Sequence, residues 1–123
     1  MRYRIEDDVR VFHLDLNSGV SAAKALEKAL DVIKIRPDLW GWDWIVQARI
    51  TPADASFEQI GRLARVFYTP PEDEVLSVLV SHDGSLPLWA RVMDFQFPRR
   101  RHVVVATLEE AHERIRRHRM ART

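Results

Sequence analysis

Trp42-Asp43-Trp44-Ile45-Val46-Gln47-Ala48 is the stretch on which the fold turns. It is too short for a helix and carries large apolar groups at both parities, as a central strand covered on both faces must. Val75 to Val80 is a second such run, rich in β-branched residues. Between the two lies a helix pattern. Ser56-Phe57-Glu58-Gln59 is a capping box, Ile60, Leu63, Ala64 and Phe67 form an apolar stripe, and Thr69-Pro70-Pro71 stops it. Upstream, Ser21 opens another helix with Ala22, Leu26, Ala29, Leu30 and Ile33 on its buried side, ended by Pro37. The chain starts with two alternating runs, Arg2 to Glu6 and Val9 to Leu16, joined at Asp7-Asp8 as a hairpin. Downstream, Asp83-Gly84-Ser85 leads into a third helix whose buried side is Leu88, Trp89, Val92, Met93 and Phe95. Arg101 to Ala106 is the fifth strand. Thr107-Leu108-Glu109-Glu110 caps a last helix with Leu108, Ala111 and Ile115 on its apolar stripe. The order ββαβαβαβα predicts an α/β domain with a mixed, mostly parallel five-stranded sheet and four helices.

With 123 residues, 46% hydrophobic and 30% charged, the chain has the size and composition of one folded domain, expected over residues 1–118, with a basic tail at 119–123. The absence of cysteine excludes disulfides and thiolate metal sites and fits the cytoplasm. No apolar run is long enough to span a bilayer. The net charge of +1 is unevenly spread: residues 99–123 hold 8 Arg against 3 Glu, while the rest of the chain is acidic. No aromatic residues interleave those arginines, so a nucleic-acid surface is not expected. Cations near a helix C-terminus suit its dipole on their own.

The last strand, Val103-Val104-Val105, running into Thr107-Leu108-Glu109-Glu110-Ala111, together with the helix opened by Asp54-Ala55-Ser56, resembles the STAS or SpoIIAA-like (anti-sigma-factor-antagonist) family, in particular its small stand-alone bacterial domains. The resemblance implies a non-enzymatic regulatory module that binds a protein partner, with homodimer contacts as another expectation. In regulatory members, Asp-Ser-Ser-Gly at a helix start carries a phosphorylated serine, the first of the pair. Here the matching residues are Asp54-Ala55-Ser56-Phe57, so Asp54 and Ser56 match while Ala55 and Phe57 do not. The same fold class is similar to the Sec14 (CRAL-TRIO) domains, which implies a pocket for a lipid or other apolar small molecule.

Candidate sites follow from both readings. Thr51, Asp54 and Ser56 are the partner-binding candidates, and a phosphate on Ser56 would meet the N–H groups of a helix start; the same serine also reads as a plain N-cap. Trp42, Trp44, Phe67 and Trp89 are candidates for an apolar pocket, or simply for core filling. Ligands of open α/β sheets sit beyond the carboxyl ends of the strands, which makes Arg49, His82, Asp83 and Thr107 a third set, with a hydrolase as the activity it would imply. Ser81-His82-Asp83 has a triad's composition, but adjacent side chains seldom converge on one atom. No cofactor is expected, and the five histidines lack metal-ligand spacing, since the position four residues after His112 is Arg116.

Overall fold

The alternating residues of the first two runs pair as expected. β1 (Arg2–Glu6) and β2 (Val11–Asp15) are antiparallel, with Arg2 opposite Asp15 and Glu6 opposite Val11. The turn between them is longer than Asp7-Asp8: it takes Asp7 to Arg10, and Arg10 closes it at φ 53°. Val9 therefore belongs to the turn. The computed structural model describes residues 2–15, 22–47, 71–82 and 86–122; within its helices, the side chains of residues 22, 23, 25, 26, 86–89, 96 and 122 also lie outside the description. The remaining elements are α1 (Ala22–Ile35), a 3-10 turn (Pro37–Gly41), β3 (Asp43–Gln47), β4 (Val75–Val80), α2 (Leu86–Gln96), β5 (Arg100–Val105) and α3 (Leu108–Arg122). The helix expected behind Ser56 lies outside the described residues.

The sheet runs β1-β2-β3-β4-β5 in spatial order, with β2 to β5 parallel and β1 antiparallel at one edge. Register places whole rows on one face. Phe12, Trp44, Ser77 and His102 are successive cross-strand neighbours, and Leu14, Val46, Leu79 and Val104 form the next row of the same face. Ala29 and Ile33 of α1 and Ala90 and Met93 of α2 cover this side. On the other face, Val11, Ile45, Leu76, Val78 and Val105 meet Ala111 and Ile115 of α3. β4 is buried through Leu79, as its apolar composition requires.

Local chemistry sets the ends. Arg36, before Pro37, leaves the helical region at φ −123°, and its guanidinium bridges Asp7 at 2.9 Å and Asp38 at 2.8 Å. That bridge holds the Asp38 carboxyl below its ordinary range. Thr107 Oγ1 accepts the Glu110 N–H at 3.1 Å while Glu110 reaches back to the Ala106 N–H at 3.4 Å, which is the expected cap of α3.

Four expectations need correction. Phe95, assigned to the buried side of its helix, is 87% exposed; Phe97, just past the helix end, is buried instead. Leu108 sits in the first turn of α3 with its side chain partly in solvent, so the buried stripe begins at Ala111. The fifth strand starts one residue earlier, at Arg100, which points inward. The basic end expected to leave the domain at residue 119 is helical through Arg122, and Arg119 is bonded to the sheet.

Candidate functional site

Of the residues chosen from the sequence, Trp42, Trp44, His82 and Thr107 fall among the described residues. Arg49, Thr51, Asp54, Ser56, Phe67 and Asp83 lie outside the description, as does the Trp89 side chain. His82 is exposed just past β4, and the Thr107 hydroxyl is occupied as a helix cap. The Ser81 N–H is bonded to Val105 O at 3.0 Å, fastening the strand ends together.

Trp42 and Trp44 do share a face with Val46, but in a packed core. Trp44 meets Phe12 edge-on with centroids 5.3 Å apart and Trp40 at 5.8 Å; Trp40 in turn meets Phe97 at 5.7 Å. The Trp44 indole N–H donates to Leu39 O at 2.8 Å. The space beside these rings is filled by Arg100. Its guanidinium carbon lies 4.7 Å from the Trp40 centroid and 4.4 Å from that of Trp44. Its nitrogens donate to Ser77 Oγ at 3.0 Å, to Trp42 O at 2.9 Å and to Trp40 O. Burial pushes this guanidinium down to about 9, with the Asp43 carboxylate opposing the shift, so it stays charged at neutral pH.

His102 and Asp94 form a dyad on the same face: Nδ1 lies 2.9 Å from Asp94 Oδ1, which also accepts the His102 backbone N–H. Ser77 is the cross-strand neighbour of His102, so the three residue types of an acyl-transfer triad stand close together. The hydroxyl, however, is engaged by Arg100, Ser77 is 2% exposed, and the imidazole packs against Phe97. Burial lowers the imidazole to about 4. The dyad fastens the end of α2 to β5.

The opposite face carries an open feature. Between the β1–β2 hairpin and the C-terminal half of α3 runs a solvent-open groove of about 480 Å³. Glu6, Val9 and Val11 line it from the hairpin; His112, Ile115, Arg116, Arg119 and Met120 line it from the helix. Met120 is 69% exposed and Val9 43%. Arg119 builds one wall: its Nε donates to Asp43 Oδ2 at 2.7 Å, and its two terminal nitrogens donate to Val9 O at 2.6 Å and Arg10 O at 3.0 Å. Asp43, 1% exposed, gives its other oxygen to the Leu76 N–H at 2.8 Å. Beside the groove, Glu6 Oε1 lies 2.8 Å from His13 Nε2 and 2.6 Å from Arg4 Nη2, and the His13 ring is 5.8 Å from that of His112. Burial and then the Arg4 charge lower the His13 imidazole below its ordinary value.

Sequence reasoning missed Arg100, Asp43 and Arg119. A signal existed for Asp43: a carboxylate between two tryptophans in a central strand must be buried, and a buried carboxylate demands a cation. Among the described residues no group of three or more His, Asp or Glu is placed to hold a metal ion. No described helix is long and apolar enough to cross a membrane. Comparison with family models, with curated proteins and with solved structures returns no match.

Proposed function

We propose that this chain is a non-enzymatic regulatory module, in the manner of the STAS domains that its element order resembles, and that it holds a protein partner in the groove between the hairpin and α3. The carrying observation is the groove itself: exposed Val9 and Met120 above an apolar floor of Val11 and Ile115, walled by charged groups. A cleft of this size, with an apolar floor and a polar rim, is a candidate binding site. A carrier for an apolar small molecule would seclude its cargo from water. This groove is open, and on the tryptophan side the described rings pack against one another and Arg100. The His102–Asp94 dyad, with its imidazole buried and bonded to the half-buried Asp94, supports a structural role over a catalytic one.

A photo-crosslinking amino acid placed at Met120, and separately at Phe95 on the opposite face, tests this in cells that express the protein natively. Both positions are exposed, so both variants fold. The module reading expects a discrete adduct from position 120 and none from position 95. Adducts from 95 alone, or from neither, overturn it.

A further inference from the structure

We propose that the groove's occupant is an acidic protein segment bearing apolar anchors, an inference that rests on the groove being the docking site. From Arg114 to Arg119 the helix carries four arginines and no carboxylate. Four of the nearby acids are already committed. Glu113 alone faces two guanidiniums, those of Arg116 and Arg117; Asp43 is taken by Arg119; Glu6 is taken by Arg4 and His13; Asp7 is taken by Arg36. Because Arg116 shares its one carboxylate with Arg117, this side of the helix holds more positive than negative charge beside Val9, Ile115 and Met120. The complement of that surface is a segment with Asp or Glu along one side and aliphatic or aromatic side chains on the other.

Two other occupants fit less well. A second copy would set the same arginines against one another across a two-fold contact, since such an interface pairs a patch with itself. An anionic bilayer would satisfy the charge, but its planar surface leaves a concave volume of about 480 Å³ largely unfilled.

The test is selection of a random-peptide display library against the full chain, with affinities then measured on wild type, Met120→Glu and Arg116→Glu. Both substitutions are at exposed positions, and circular dichroism checks that the variants remain folded. The expected winners are rich in Asp and Glu around Leu, Ile or Phe. Their affinity falls about tenfold with Met120→Glu and about fivefold with Arg116→Glu, and weakens further as salt is raised, because exposed charge pairs are screened. Neutral or basic winners that still lose affinity with Met120→Glu overturn the acidic occupant and leave the groove reading standing. Winners indifferent to Met120→Glu overturn both. So does a library yielding no binder while phosphatidylglycerol vesicles bind, or a dimer in sedimentation velocity that Met120→Glu dissociates.

Discussion

Arg119 Nε lies 2.7 Å from Asp43 Oδ2, joining positions 76 residues apart. The pair ties α3 to three other parts of the fold, because Asp43 starts β3 and accepts the N–H of Leu76 in the neighbouring strand β4, while Arg119 reaches on to the carbonyls of Val9 and Arg10 in the hairpin turn. Removing one partner of such a pair strands the other. Arg119→Met leaves a buried carboxylate whose remaining hydrogen bond among the described residues is the Leu76 N–H. With the Arg119 side chain one-third exposed, we expect a loss of about 2–3 kcal/mol, below the usual cost for a wholly buried pair. Urea unfolding measures it. The double change Asp43→Asn with Arg119→Met should cost less than the two single losses added together; strict additivity would show that the pair does not couple.

Arg100 makes a different prediction because no carboxylate bonds to it directly. Its charge is held by two carbonyls, a hydroxyl and two indole faces, an arrangement that needs a flat, forked cation. Arg100→Lys supplies the charge without the fork. We expect it to recover little of the roughly 3–4 kcal/mol lost in Arg100→Ala, which combines a cavity with unsatisfied acceptors. A Lys variant of wild-type stability would mean that charge alone matters there.

The limits of the sequence follow from the same residues. Val75 to Val80 was legible to the residue, because β-branched side chains at both parities fit only a strand covered on both faces. The cap at Thr107 was legible because its bonds join residues three and four positions apart, Thr107 with Glu110 and Ala106 with Glu110. Arg100 was not. In Arg99-Arg100-Arg101, strand parity says that inner and outer positions alternate, but not that a cation is tolerated inside; that depends on Trp40 and Trp42, some sixty positions away. The groove was invisible for the same reason, since its walls come from opposite ends of the chain.

The buried imidazole predicts a pH dependence. His102 titrates at about 4 in the fold and near 6.5 when exposed. Between those values the unfolded chain takes a proton that the folded chain refuses. Stability is therefore full above about pH 6.5 and falls as the pH drops toward 4, by up to about 3 kcal/mol. The lowered His13 adds to the loss with the same sign. Urea midpoints at several pH values should show wild type losing stability through this window. His102→Asn, which keeps a donor toward Asp94, should show a shallower slope. Parallel profiles would remove His102 as the cause.

Two arginines occupy the left-handed region, Arg10 at φ 53° and Arg99 at φ 62°. A side chain with a Cβ is strained there by about 1 kcal/mol, and glycine is not. The two sites nevertheless predict opposite outcomes. The exposed Arg10 acts in the turn through its carbonyl, which glycine retains for Arg119. Arg10→Gly should leave stability unchanged or raise it by up to about 1 kcal/mol, while Arg10→Val should lower it. Arg99 uses its side chain as well, donating to Glu72 O at 2.6 Å and to Pro71 O at 3.5 Å. Arg99→Gly relieves the same strain but releases the segment that leads into β4, so a net loss of about 1 kcal/mol is expected. Thermal unfolding of the two glycine variants side by side separates backbone relief from side-chain bonding, and a gain at both positions would mean that the Arg99 bonds contribute nothing.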